Sequence, residues 1–100
     1  MADIFISEYD RALSDTTGAV TQIRIEPRLN GGVVSNPTSS ATYTVQDSST
    51  KYLLITSSAA YHYKVATSGS PTATTSDQYM TAGRDFIAVR DNYVIAFINA

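Results

Sequence analysis

The residues able to do chemistry are few, and their spacing is the first thing to weigh. His62 is the only histidine and there is no cysteine. A metal site built on several histidines, a thiolate zinc site, a disulfide framework and a cysteine nucleophile are therefore all excluded. Counting leaves a Ser-His-Asp arrangement open, since serine and aspartate are plentiful. No Gly-x-Ser-x-Gly elbow surrounds any serine, however, and strand alternation puts His62 on a polar face, so a surface or hydrogen-bonded imidazole is expected. Glu8 and Asp10 near the start, and Asp85 and Asp91 near the end, are the carboxylate pairs on offer. A glycosidase needs two acids facing each other across a cleft, for which short strands leave little room. These four read as solvated charges and turn residues. No D-x-[DN]-x-[DN]-G calcium loop is present, and neither Walker nor dinucleotide glycine patterns occur; Gly31-Gly32 reads as a turn. No catalytic residue, metal ligand or cofactor site is assigned, and an enzyme is the least favoured reading.

Several features suit binding instead. Tyrosines on strands, Tyr61, Tyr63 and Tyr79 among them, could stack on sugars or bases, and tyrosine is also a normal half-buried strand residue. The apolar piece around Ile4, Phe5, Ile6 and Tyr9 has nothing local to pair with. Such a strand could add to another subunit's sheet edge, where backbone hydrogen bonds supply affinity. It could equally pair within its own domain. Arg24 and Arg28 are further candidates for pairing with acidic partners. The loop at 68–77, S-G-S-P-T-A-T-T-S-D, is small, polar and punctuated by Gly69 and Pro71, and is a second candidate binding element.

The elements that must position these residues are strands. One hundred residues, seven of them tyrosine, with much Ser and Thr and few Lys, Glu or Leu, make an all-β composition. The length allows one domain. A net charge of −2, with seven cations scattered along the chain, argues against a nucleic-acid partner. The opening residues lack a basic n-region and no long apolar run follows, so neither a signal peptide nor a membrane span is expected. The missing cysteines tilt towards assembly in a reducing cytosol.

Residues 84–98 stand out, with two apolar runs separated by Arg90, Asp91 and Asn92. Asp91-Asn92 suits the turn of a tight hairpin, expected at the centre of the domain. Further strands are read at 4–9, 20–26, 33–34, 41–46, 51–57, 61–67 and 79–80 by their period-two alternation. A loop with one helical turn is read at 11–18, and turns at 47–50 and 81–83. The expectation is a small antiparallel β-sandwich or barrel, jelly-roll-like, at 19–100, preceded by an extended N-terminal arm and loop at 1–18.

Two passages carry a family resemblance. One is the opening M-A-D-I-F-I-S-E-Y with E-P-R at 26–28. The other is the C-terminal half, with S-P-T-A-T-T-S-D-Q-Y-M-T-A-G at 70–83, an F-I-A-V strand and an apolar finish at 93–98. Together they resemble a group of small tailed-bacteriophage virion proteins, in which an N-P-T-A-T motif and a P-A-G turn precede a final hairpin. This sequence departs at Ser70, where Asn is usual, and at Thr81, where Pro is common. Members similar to capsid decoration, or cement, proteins sit as trimers outside the mature head. The resemblance therefore implies a virion structural protein, a homotrimer bound to the major capsid protein on the capsid exterior and assembled in the host bacterial cytoplasm. A tail or head–tail joining component is the nearest alternative it leaves, and a carbohydrate-binding module the more distant one.

Overall fold

The structure is a computed structural model that describes residues 3–10, 12–14, 20–24 and 28–100, with side chains described for 3–10 and 28–100. Ten strands run through these residues: β1 (Asp3–Tyr9), β2 (Ala12–Ser14), β3 (Val20–Arg24), β4 (Asn30–Ser35), β5 (Ala41–Thr44), β6 (Tyr52–Ser57), β7 (Tyr61–Ala66), β8 (Gln78–Met80), β9 (Gly83–Ala88) and β10 (Val94–Asn99). Eight of them build two four-stranded sheets, ordered β4-β1-β6-β9 (sheet 1) and β5-β10-β7-β8 (sheet 2), with every neighbouring pair antiparallel. Among the described residues β2 and β3 pair only with each other.

The order is that of a jelly roll with its ends moved. Counting β4 as the first strand and placing β1 after β10, sheet 1 reads first, eighth, third, sixth. Sheet 2 reads second, seventh, fourth, fifth, which is the double Greek key. The N-terminal strand thus fills the slot that the last strand of an ordinary jelly roll would take. Contacts at one end of the sandwich fit this reading. The Asn36 N–H donates to Asp3 Oδ1 at 3.2 Å, Asn99 Nδ2 donates to Asn36 Oδ1 at 2.9 Å, and the Asn99 N–H donates to the Pro37 carbonyl at 2.8 Å. The start of β1 and the end of β10 are thereby tied to the same β4–β5 connection. Asn36 turns that connection with a φ of 37°, a conformation asparagine tolerates better than most residues.

The core lies between the sheets and follows the alternation. Ile4 and Ile6 from β1, Val34 from β4, and Leu53 and Ile55 from β6 face Tyr43, Val45, Tyr61, Ile95 and Phe97, all buried. Tyr61 meets Phe97 edge-on with ring centroids 5.8 Å apart, a favoured geometry for an aromatic pair.

Several expectations are corrected. Residues 84–98 contain the expected turn, with the Tyr93 N–H donating to the Arg90 carbonyl at 3.2 Å and Asn92 at φ 67°. They do not form a hairpin. β9 is the edge of sheet 1, and β10 lies inside sheet 2, so the turn carries the chain across the sandwich. The Val89 N–H donates to the Lys51 carbonyl on one side, and the Val45 N–H to the Tyr93 carbonyl on the other. Of these two strands β10 alone is covered on both faces, with Val94 to Phe97 buried in succession. Residues 12–14, expected in a loop with a helical turn, are a strand, and residues 11 and 15–19 lie outside the described ones. The two readings of residues 4–9 are also resolved. β1 is hydrogen-bonded to β4 and to β6, so it is an interior strand of the β domain rather than an arm before it.

Gly31-Gly32 is no turn either; both residues lie inside β4. A Cβ on Gly31 would stand 2.5 Å from the Ile6 carbonyl oxygen, and one on Gly32 would stand 3.0 Å from the Tyr43 ring. Glycine is needed here for close approach of backbone to backbone. Gly31→Ala is expected to cost about 1–3 kcal/mol by overpacking, read as a lower urea midpoint with an unchanged m-value.

Candidate interaction face

Alternation along β1 splits the residues that sequence reasoning had grouped. Ile4 and Ile6 point inward and have no exposed surface, so they are core and meet no partner. Phe5 points outward and is 52% exposed. Tyr9 also belongs to the outward face, yet it is buried, its ring stacked on Tyr52 at 5.6 Å between centroids. Tyr52 in turn leans on Phe86 at 5.8 Å. Arg28 is exposed, and its Nη1 donates to Ser7 Oγ at 3.2 Å. Arg24 falls on β3, and its side chain lies outside the described residues.

The register assembles an outer face on sheet 1. Residues paired across strands share a side, with Cβ atoms about 4.5–5.5 Å apart. One row runs Val33, Phe5, Thr56, Arg84, and the next runs Gly31, Ser7, Leu54, Phe86. Val33, which sequence reasoning did not single out, is 51% exposed beside Phe5. The result is an apolar strip in which Val33 and Phe5 are exposed, Phe86 half-buried and Leu54 buried, with Arg84 at the β9 edge and Arg28 anchored on Ser7. The signal for Val33 was present but weak, because a Gly-Gly-Val-Val run reads as a turn with a brief strand.

Glu8 was expected to be a solvated charge and is corrected here. It sits fully buried on the inward face, two residues beyond Ile6. Its carboxylate accepts from the Tyr43 hydroxyl, from Thr50 Oγ1 at 2.7 Å, from the Gln46 N–H at 3.0 Å and from the Asp47 N–H at 3.0 Å. Burial raises its pKa, but the hydrogen bonds from Tyr43, Thr50, Asp47 and Gln46 outweigh burial and hold it below the usual 4.5. Burial pushes the Tyr43 hydroxyl up, and the bond to and the charge of Glu8 push it further, so it stays protonated and donates. Every acceptor direction of the carboxylate is in use, so the group clasps β1 to the β5–β6 connection and is not free to move protons. The sequence signal existed: Ile4, Ile6 and Glu8 are spaced by two and share one face.

The other candidates resolve in the same way. Asp85, also expected to be solvated, is half-buried; burial, and after it the charge of Asp85, raises the pKa of Tyr61 and Tyr63. Of the three tyrosines considered for sugar stacking, Tyr61 is core, Tyr63 is half-buried against it, and Tyr79 is exposed. His62 is hydrogen-bonded as expected, its Nδ1 3.0 Å from the Asp77 carbonyl oxygen and its ring edge-on to Tyr79 at 5.3 Å. The 68–77 loop is tied down. The buried Ala73 donates its N–H to Ser40 Oγ at 2.8 Å, and Asp77 Oδ2 accepts from the Thr74 N–H at 2.8 Å. An open recess of about 320 Å³ lies where the chain crosses between the sheets, lined by Lys51, Ala88, Val89, Arg90 and Tyr93. Both its cations are exposed. Among the described residues no group of three or more His, Asp or Glu could hold a metal ion.

Comparison with protein-family models, with curated proteins and with solved structures gives no match to this chain. The functional reading therefore rests on the residues themselves and on the sequence resemblance.

Proposed function

We propose that this chain is a structural virion protein of a tailed bacteriophage. It binds the outer capsid surface as a homo-oligomer, taken as a trimer, and stabilises the head. The observation that carries the reading is the outer face of sheet 1, where Phe5 and Val33 lie exposed side by side in a strip with Arg28 and Arg84 beside it. Exposed apolar residues with cations close by suit an apolar protein surface bearing carboxylates, where the charges favour correct docking more than raw affinity. Among the described residues the two four-stranded sheets end in the edge strands β4, β9, β5 and β8, which neighbours in a trimer would help to cover. Many weak contacts, repeated around a lattice, add up to strong attachment.

The test is co-sedimentation of the purified protein with phage heads stripped of accessory proteins, expanded and unexpanded. Saturable binding to expanded heads only is expected. Phe5→Thr combined with Val33→Thr should leave the fold intact, since both side chains already face solvent and threonine suits a strand. It should weaken head binding by about thirty-fold or more, the effect of losing a contact worth about 2 kcal/mol. Full binding by the double variant, or no binding by the parent, would overturn the assignment.

A further inference from the structure

The sequence has four asparagines, and only Asn30 is followed by glycine. Asn36 precedes Pro37, whose nitrogen carries no hydrogen to lose. Asn92 and Asn99 precede Tyr93 and Ala100, whose β-carbons crowd an approach to the preceding side chain. Asn30 is different in three ways. The Gly31 N–H donates to Asn30 Oδ1 at 2.8 Å, so this backbone nitrogen already sits against the carboxamide. Asn30 is the first residue of β4, which among the described residues is an edge strand paired with β1, where local opening is easiest. Gly31 is also fixed by packing, because a Cβ there would meet the Ile6 carbonyl. The Asn-Gly pair is thus built into the fold.

We propose that Asn30 is a site of spontaneous deamidation, and that its conversion loosens the seam between β1 and β4. The Gly31 nitrogen gives its proton to solvent and bonds to Cγ of Asn30. The C–N bond of the carboxamide breaks and ammonia leaves, closing a five-membered imide. Water then opens the ring at either carbonyl, giving aspartate or isoaspartate. One water is consumed and one ammonia released, with no change of oxidation state.

The consequence follows from the register. Asn30 stands directly opposite Glu8, on the inward side of sheet 1. A new carboxylate there faces the buried one, and like charges directly opposite across a strand pair are unfavourable. Isoaspartate also adds a methylene to the main chain of β4 and shifts the pairing that sets Val33 beside Phe5. One modification therefore strikes both the internal clasp and the outer face, and the inference stands whether or not that face binds a capsid.

The experiment is to age the full chain in warm, mildly alkaline buffer and follow its peptides by mass spectrometry, with isoaspartyl methyltransferase labelling. The peptide beginning at Leu29 should gain the mass difference between a hydroxyl and an amino group, and take up label, before peptides bearing Asn92 or Asn99 change. Asn30→Gln should remove that signal. Asn30→Asp, made directly, should melt about 4–8 °C below the parent. Conversion of Asn92 or Asn99 ahead of Asn30, or an Asn30→Asp protein as stable as the parent, would overturn the proposal.

Discussion

Replacing Glu8 with alanine is expected to destabilise the fold by about 4 kcal/mol or more, a sizeable share of the roughly 5–15 kcal/mol a domain of this length has. The carboxylate serves two hydroxyls and two backbone N–H groups. Each buried polar group left without a partner costs about 1–3 kcal/mol, and bonds to a charged group are stronger than neutral ones. The Glu8→Gln variant separates charge from shape. It keeps a carbonyl for the two N–H groups and an amide that Thr50 or Tyr43 can accept from, so a smaller loss of about 1–2 kcal/mol is expected. The pH dependence distinguishes the two proteins. Because the Glu8 pKa is lower in the folded chain than the usual 4.5, its stabilisation is fully present above that value. It is lost as pH falls through the folded pKa. Urea unfolding of parent and Glu8→Gln should therefore differ at neutral pH and converge in acid. A constant difference across that range would show that the carboxylate charge contributes nothing.

Period-two alternation made most of the strands legible, because a side chain's face depends on parity alone. Tyr43 and Val45 against Thr42 and Thr44, and Leu53 and Ile55 on β6, are buried or exposed as the pattern predicts. What alternation does not specify is which strands pair. Residues 84–98 carry the chemistry of a tight turn between two apolar runs, and a hairpin and a crossing between sheets demand the same residues there. Only the pairing of β9 with β6, and of β10 with β5 and β7, separates them. The same gap explains Glu8. Its parity with Ile4 and Ile6 was visible, but its partners, Tyr43, Gln46, Asp47 and Thr50, lie 35–42 residues away. A charged residue looks solvated until those donors are placed around it. On the outer face, Phe5 and Arg28 were singled out from residue type, whereas Val33 emerged only from the register of β4.

Deleting residues 1–10 is expected to abolish cooperative folding. Were these residues an arm, the deletion would spare the core and remove only a contact. In the jelly-roll order they supply an interior strand, and β4 and β6, which do not bond to each other, would be left with an empty slot between them. Ile4 and Ile6 are both fully buried, and losing each from a core costs about 2–5 kcal/mol. Adding the Glu8 clasp brings the total to that of the whole domain or beyond. The truncated chain should show a collapsed or unfolded state, with near-ultraviolet circular dichroism lost. The strand should also work when supplied separately. A peptide of residues 1–10 added in excess should restore the signal saturably, and one carrying Glu8→Ala should do so poorly. A truncated protein that melts cooperatively at the parental temperature would refute the interior placement of β1. The result also governs how capsid binding is tested. If truncation unfolds the chain, its failure to bind heads says nothing about contact, and only outward substitutions such as Phe5→Thr with Val33→Thr can separate docking from folding.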